Sequence, residues 1–413
     1  VKKVRYLIIG NSIAAAGAVE GIREEDQSGE ITIVGDETHH VYSRPLISYL
    51  LQGKTDLERM KYRPDDFYEK NGCKTILGKK AISIDKEKKN VALDDGTILA
   101  YDKLLVATGS SPFTPPMTGL DSVPKRFCFM DLDSATALEA ELAPYKRVLI
   151  IGGGLIGLKC AEGIADRVGE ITVVDLAPRI LSSILNDEGA HIVQAHLEKQ
   201  GMKFILGASV SSFEGNTAHM SSGETLEFDI LVTAVGVRPN VSLIKDAGGE
   251  IGRGITTDTS MKTSLPDIYA AGDCAESFDI SVGMNRILAI LPNAYRGGRT
   301  AGTNMAGGTA EFNKVIPMNA IGFFGLHIIT AGSYDGDIYE VSDEESYKKL
   351  FYKDDILKGY ILIGKVDKAG IYTSLIREQT PLTTIDFDLV KKEPSLVAFS
   401  RAYRNEKLGG GAK

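Results

Sequence analysis

Val148-Leu-Ile-Ile-Gly152-Gly-Gly154-Leu-Ile-Gly157-Leu-Lys-Cys-Ala decides the fold. Four apolar residues make a short buried strand. Three glycines at G-x-G-x-x-G spacing then make a tight turn, and a helix follows. In such a turn the first glycine makes the bend, the second lets the backbone approach a pyrophosphate, and the third lets helix and strand pack closely. The helix N-terminus offers unpaired N–H groups and a positive dipole end to the phosphates. A second strand, Ile171-Thr-Val-Val174, ends in Asp175, 18 residues after Gly157, where an acid can hydrogen-bond a ribose.

The same pattern stands 142 residues earlier. Val4-Arg-Tyr-Leu-Ile-Ile-Gly10-Asn-Ser12-Ile-Ala-Ala15-Ala-Gly-Ala is again strand, turn and helix, followed by Ile31-Thr-Ile-Val34, Gly35, Asp36 and Glu37. Its turn reads G-x-S-x-x-A and is degraded. Alone it would pass as a generic strand-to-helix turn of an α/β domain. Twice in one chain, each time with strand, helix and acid, the pattern reads as two Rossmann-like dinucleotide-binding units. The candidate binding residues are Gly10, Ser12, Ile13, Ala14, Ala15, Asp36 and Glu37 in the first, and Gly152, Gly154, Leu155, Ile156, Gly157 and Asp175 in the second.

Composition narrows the class. The chain has 413 residues, 43% hydrophobic and 25% charged, which suits a globular protein of about three domains. A net charge of −8 gives no electrostatic support for nucleic-acid binding. The four cysteines, Cys73, Cys128, Cys160 and Cys274, are far apart, which excludes a CxxC redox pair and a Cys-rich zinc or iron–sulfur motif. No metal site is expected. Such cysteine usage suits a reducing cytoplasm. The N-terminal segment reads as a buried strand and not as a signal peptide. No apolar run approaches the roughly 20 residues of a membrane helix.

Other segments fit around the two units. Lys89–Gly96 and Thr97–Tyr101 read as a hairpin turned at Asp94-Asp95-Gly96. Lys103-Leu-Leu-Val-Ala107-Thr108-Gly109 is a strand whose theme returns in Phe228-Asp-Ile-Leu-Val-Thr-Ala-Val-Gly236. From about Ile321 strands alternate with turns, and a helix is expected to start at Ile371. Gly409–Lys413 reads as a flexible tail.

With both turns, Ala107-Thr-Gly109, Gly236-Val-Arg-Pro-Asn240 and Thr263-Ser-Leu-Pro-Asp-Ile-Tyr-Ala-Ala-Gly272-Asp273, residues 1–335 resemble the two-dinucleotide flavoproteins of the pyridine nucleotide-disulfide oxidoreductase superfamily. The similar branch holds NADH:rubredoxin reductases, ferredoxin reductases and the flavin part of nitrite reductases. The resemblance implies FAD in the first unit and NAD(H) in the second. It implies that Asp273, after Gly272, bonds the ribityl chain. It also implies a helix starting near Pro292-Asn293-Ala294 and pointing at the ring, and FAD contacts at Arg44, Pro45, Ser48, Ala81 and Ala107–Gly109. Asp175 favours NADH, since its carboxylate repels a 2′-phosphate. Arg179, four residues on, has two readings, a surface charge of the following loop or a cation that permits NADPH.

Members that reduce disulfides carry a Cys pair in the first domain, and single-cysteine members carry theirs near Tyr42–Tyr49. Pro45 stands at that place here, so thiol chemistry is disfavoured, and the four cysteines read as structural. The family commonly pairs a first-domain Lys with a Glu after the second turn, beside flavin N5. Tyr49 and Lys159 hold those places, so a cation supplied from the opposite helix is one expectation and a solvent-facing Lys159 the other.

The expected function is FAD-dependent electron transfer between NADH and a small iron–sulfur protein of rubredoxin or ferredoxin type. The alternatives are an NADH oxidase using oxygen, and a flavoprotein subunit of a larger redox complex, such as one built on carbon monoxide dehydrogenase. The expected domains are an FAD domain of residues 1–114 and 245–318, an inserted NAD domain of 115–244, and a C-terminal α+β domain of 319–413. Monomer and homodimer are both open.

Overall fold

The computed structural model describes residues 3–343 and 346–408, so the predicted flexible tail lies outside the described residues. Two compact units emerge. The first takes the chain up to Ser183 with Gln194–Ser277 and Asn285–Phe312, and the second takes Ile184–Val193, Phe278–Met284 and the chain from Asn313.

The first unit contains the repeat as two five-stranded parallel sheets. One has the order Ile268–Ala270, Lys103–Val106, Arg5–Ile9, Glu30–Gly35, Cys73–Leu77. The other has Lys203–Leu206, Glu170–Asp175, Arg147–Ile151, Ile230–Thr233, Arg126–Phe127. Their central registers correspond: Ile8 pairs with Ile33 and Leu105, and Ile150 with Val173 and Val232. Both central strands are buried along Tyr6–Ile9 and Val148–Ile151, which is why they read as unbroken apolar runs.

The repeat extends beyond the turns. Arg5 N–H and guanidinium both bind Asp102, and Arg147 does the same with Asp229. Each pair ties the start of a central strand to the residue before its neighbour. Each half also holds a three-stranded antiparallel sheet, Ala81–Asp85 with Asn90–Leu93 and Ile98–Ala100 in one, Val210–Glu214 with Thr217–Met220 and Thr225–Glu227 in the other. The expected hairpin is the Asn90–Leu93 and Ile98–Ala100 pair.

The first Gly-turn helix, Ile13–Glu25, packs on the long helix Leu291–Met305 almost without side chains between them. A Cβ on Gly298 would lie 2.0 Å from the Ala14 carbonyl oxygen, and one on Gly302 2.1 Å from that of Ala18. Reciprocally, a Cβ on Gly17 would lie 2.3 Å from the Tyr295 oxygen and one on Gly21 2.3 Å from that of Arg299. Four small residues thus let two backbones touch. They bring a segment nearly 280 residues away in sequence beside the first turn.

The second unit has a five-stranded antiparallel sheet, ordered Met318–Phe323, Leu326–Gly332, Ile356–Ile363, Tyr347–Lys353, Asp337–Ser342. The helix Ala369–Arg377 covers it, burying Tyr372, Leu375 and Ile376 against Leu350, Tyr360 and Leu362. That helix begins two residues before the expected Ile371, after Lys368 in a left-handed conformation.

Candidate functional site

The two turns share one geometry. Gly10 has φ +112°, its N–H donates to Val34 O at 2.7 Å, and a Cβ there would lie 2.1 Å from Ala107 O. Gly152 has φ +114°, donates to Val174 O at 2.8 Å, and would meet Ala234 O at 2.2 Å. Only glycine fits both the conformation and the space. At the third position the halves differ. A Cβ on Gly157 would lie 2.0 Å from Gly152 O, whereas the first turn accommodates the Ala15 methyl in the buried helix face. Nothing lies within 4 Å of a Cβ on Gly154, the position that must stay open for a phosphate.

Neither Gly-turn helix is closed at its start. Ser12 and Gly154 are the N-caps, neither makes a side-chain cap bond, and neither first turn contains an acid. The helix Leu132–Glu139, by contrast, has a full capping box on Asp131. The open ends leave the positive poles of two helices to a ligand.

A cleft of about 350 Å³ opens above the first turn. Gly10, Ser12, Ile13, Ala14, Asp36, Glu37, Arg44, Pro45, Ala81, Ala107, Thr108, Gly109, Gly272, Asp273 and Ala294 line it. Three expected residues are not on its wall. Ala15 is in the packed helix face, Ser48 is buried and turned to the Pro45 carbonyl, and Asn293 is buried in the first turn of Leu291–Met305. That helix starts at Ile290 in extended conformation with proline in its first turn and no side-chain cap, so its positive end also faces the cleft, through Ile290, Leu291 and Ala294.

Several cleft residues were not anticipated. Lys79 and Lys80 reach it from the segment ahead of Ala81, and Met130, Ser242 and Leu243 close its sides. An adjoining basic pair before a strand is the lysines' only local mark, and it reads equally as a solvated face. Asn240, quoted within the Val-Arg-Pro-Asn motif, lines the cleft as well. Its side chain donates to Thr108 O at 2.8 Å, while its own carbonyl accepts from Thr108 Oγ1 at 2.9 Å. The Ser110–Pro112 and Val237–Pro239 strands pair antiparallel beside it.

The charges are ordered. Arg44 bonds Glu37 and donates to Met130 O at 3.2 Å, and the Tyr42 hydroxyl donates to Glu37 at 2.7 Å. Asp273 accepts no hydrogen bond from the described residues. Burial pushes its carboxyl up, and the Arg44 charge pulls the other way. A half-buried carboxylate in a cleft without a donor suits a ligand carrying hydroxyl groups. The positive Arg44, Lys79 and Lys80 and the open helix ends suit a pyrophosphate. The residues present therefore fit FAD.

In the second half, Asp175 accepts from Gly153 N–H at 2.6 Å and from Ala177 N–H at 2.8 Å. The carboxylate thus shapes the turn. Leu155 and Ile156 are half-buried in the first helical turn, and Gly236, φ +120°, ends the neighbouring strand segment in open space.

All four cysteines are free thiols, and none lines the cleft. Burial pushes each up, Cys73 to about 11. Such thiols are poor nucleophiles at neutral pH. No group of metal-ligating side chains occurs among the described residues, and no described helix is long and apolar enough to cross a membrane.

Lys159 does cross to the first half. Its ammonium lies 4.7 Å from the centre of the Tyr49 ring and bonds Glu162, one turn along its own helix Leu155–Ile164.

Fold and site together define a flavoprotein oxidoreductase with one FAD site and one NAD(H) site. Residues 4–298 match the pyridine nucleotide-disulphide oxidoreductase family, to which the chain belongs, and residues 317–380 match the rubredoxin NAD+ reductase C-terminal domain. The chain is 32% identical over 400 residues to the NADH-dependent phenylglyoxylate dehydrogenase subunit epsilon of Aromatoleum evansii, covering 93% of this chain and 94% of that one. It is 28% identical to the NADH-rubredoxin oxidoreductase of Clostridium acetobutylicum, over 89% and 92% of the two chains. It spans only about half (51% and 48%) of two Bacillus subtilis relatives, an assimilatory nitrate reductase electron transfer subunit and a nitrite reductase. In fold it is similar to the covalent putidaredoxin reductase–putidaredoxin complex, with a TM-score of 0.89, 22% identity and full coverage of both chains.

Proposed function

We propose that this protein passes electrons between NADH and a small iron–sulfur protein of rubredoxin or ferredoxin type. The observation that carries the reading is the pairing of two open dinucleotide turns in one unit with a cleft that no cysteine lines. FAD held in this cleft would supply a two-electron acceptor for hydride from NADH that can release its electrons singly. The chain's residues bind and orient. The first turn, Arg44, Lys79 and Lys80 hold the FAD pyrophosphate, Asp36 a ribose, and Asp273 the ribityl hydroxyls. The second turn and Asp175 hold NADH and disfavour NADPH. Lys159 and Tyr49, which meet across the two halves, are the side chains assigned to the hydride-transfer region in this reading.

The rubredoxin-type C-terminal match supports an iron–sulfur acceptor. A second reading, a flavoprotein subunit of a larger redox assembly, is supported by the end-to-end similarity to a dehydrogenase subunit. The three-domain division, with an FAD domain of 1–114 and 245–318, an NAD domain of 115–244 and a C-terminal domain of 319–413, belongs to the same proposal.

The test is anaerobic stopped-flow absorbance with NADH and NADPH, followed by rubredoxin, ferredoxin or oxygen as reoxidant. Bleaching by NADH and fast reoxidation by an iron–sulfur protein are expected. Fast oxygen turnover alone would select an oxidase, and an unbleached FAD-loaded protein would refute hydride entry. Lys159→Glu is expected to slow bleaching; an unchanged rate removes Lys159 from the site.

A further inference from the structure

Glu162 is not among the residues lining the cleft, yet it is only 6% exposed. It lies on the helix Leu155–Ile164, which begins at the second nucleotide turn. The opposing helix, Ile47–Leu51, continues directly from cleft-lining Arg44 and Pro45. The two helices meet closely: a Cβ on Gly163 would lie 3.1 Å from Ser48 O, and Gln52 Nε2 donates to Glu162 O at 3.1 Å. Within this seam Glu162 bonds the Lys159 ammonium, whose side chain is 18% exposed and which rests over the Tyr49 ring.

The pair is directional. The carboxylate is the deeper member, and the ammonium is the one that reaches across to the cleft-side helix. A lysine has a long, rotatable stem and a well-hydrated head. A buried carboxylate one turn along the helix restrains that stem. A carboxylate at this depth in turn needs a cationic partner, because solvent no longer compensates it. Charges screened this poorly act over longer distances than surface charges do.

We propose that Glu162 is a positioning residue: its buried carboxylate fixes the Lys159 ammonium over Tyr49, between the two nucleotide sites, and the pair tunes the reduction potential of the flavin. The proposal rests on the functional reading above for the identity of the cofactor. Removing the carboxylate charge makes the field at the seam more positive and favours the electron-rich form of the cofactor. Removing the ammonium does the opposite.

The test measures the midpoint potential of FAD-loaded protein against reference dyes, with no NADH present. Glu162→Gln is expected to shift the two-electron equilibrium about tenfold toward the reduced form, or about 30 mV more positive. Glu162→Asp is expected to stay near wild type, and the neutral double variant Lys159→Met/Glu162→Gln to return toward it. A Glu162→Gln potential equal to wild type would overturn the proposal. Should that variant lose FAD on purification, Lys159→Met decides: a more negative potential supports the pair, and an unchanged one overturns it. Because the dyes report without NADH, a wild type that NADH cannot bleach would sink the functional reading and leave this measurement intact.

Discussion

Replacing Gly298 by alanine would place a methyl carbon 2.0 Å from the Ala14 carbonyl oxygen and 2.7 Å from its carbon. The obstacle is backbone in a packed helix, so no side-chain rotation relieves it. The helices Ile13–Glu25 and Leu291–Met305 must separate by about 1 Å to reach even the closest tolerated contact. Both helix starts line the cleft, through Ile13 and Ala14 on one side and Leu291 and Ala294 on the other. Preorganised sites hold their geometry to within about 0.5 Å. Overpacking of this kind costs about 1–3 kcal/mol, and the helix propensity of alanine over glycine offsets at most about 1 kcal/mol of it. A net loss of about 1–2 kcal/mol is therefore expected, together with FAD affinity at least tenfold weaker, equivalent to about 1.4 kcal/mol.

The neighbouring residue supplies the control. A Cβ on Gly297 would lie 3.5 Å from the Phe312 ring and 3.7 Å from the Met261 methyl, an ordinary contact. Gly297→Ala should keep FAD and melt no lower than wild type. The assay is thermal unfolding followed by flavin fluorescence release, with FAD dissociation constants from fluorescence quenching. Equal melting and equal FAD affinity for Gly298→Ala and wild type would refute the claim that backbone contact aligns the two helix ends.

Three further outcomes are expected. Asp175→Ala removes acceptors for Gly153 and Ala177 as well as the charge opposing a 2′-phosphate, so KM for NADH should rise while the preference over NADPH narrows; steady-state kinetics with both nucleotides checks this, and an unchanged ratio would contradict it. Burial raises the Asp273 carboxyl, so its ionised form opposes folding of the apoprotein above that raised value. Asp273→Asn should raise the apoprotein melting temperature at pH 8, lose that advantage in acid, and weaken FAD binding; apoprotein that melts lower than wild type at pH 8 would count against it. The N–H groups of Ser28 and Gly29, with the Tyr6 hydroxyl, hold Asp26 down at about 2. Its contribution is complete above the unfolded value of about 4 and is lost as pH falls through about 2. Wild type should out-melt Asp26→Asn at pH 7, with the gap shrinking below pH 4.

Much of the site was legible because strand, turn and helix are local. The Gly10 and Gly152 turns needed only backbone conformation and the spacing of small residues, and Asp36 and Asp175 follow at the ends of the next strands. Lys79, Lys80 and Met130 were not legible as site residues. Their place in the cleft depends on how separate segments converge, and a lysine pair before a strand otherwise resembles any solvated charge. Ser48 and Asn293, expected at the cofactor from motif position, are buried and lie outside the cleft wall, a placement set by packing.

By itself the sequence determined two dinucleotide units, their order, and the absence of a cysteine pair, since each is written in contiguous residues. Only the tertiary structure decided which distant segments meet those units. It set Gly298 and Gly302 against the first Gly-turn helix, and it tied Asn240 back to Thr108. It also turned Lys159 toward Tyr49 with Glu162 buried behind it. The physical reason is that a close contact or a buried charge is a property of two surfaces, and the chain spells only one of them at a time.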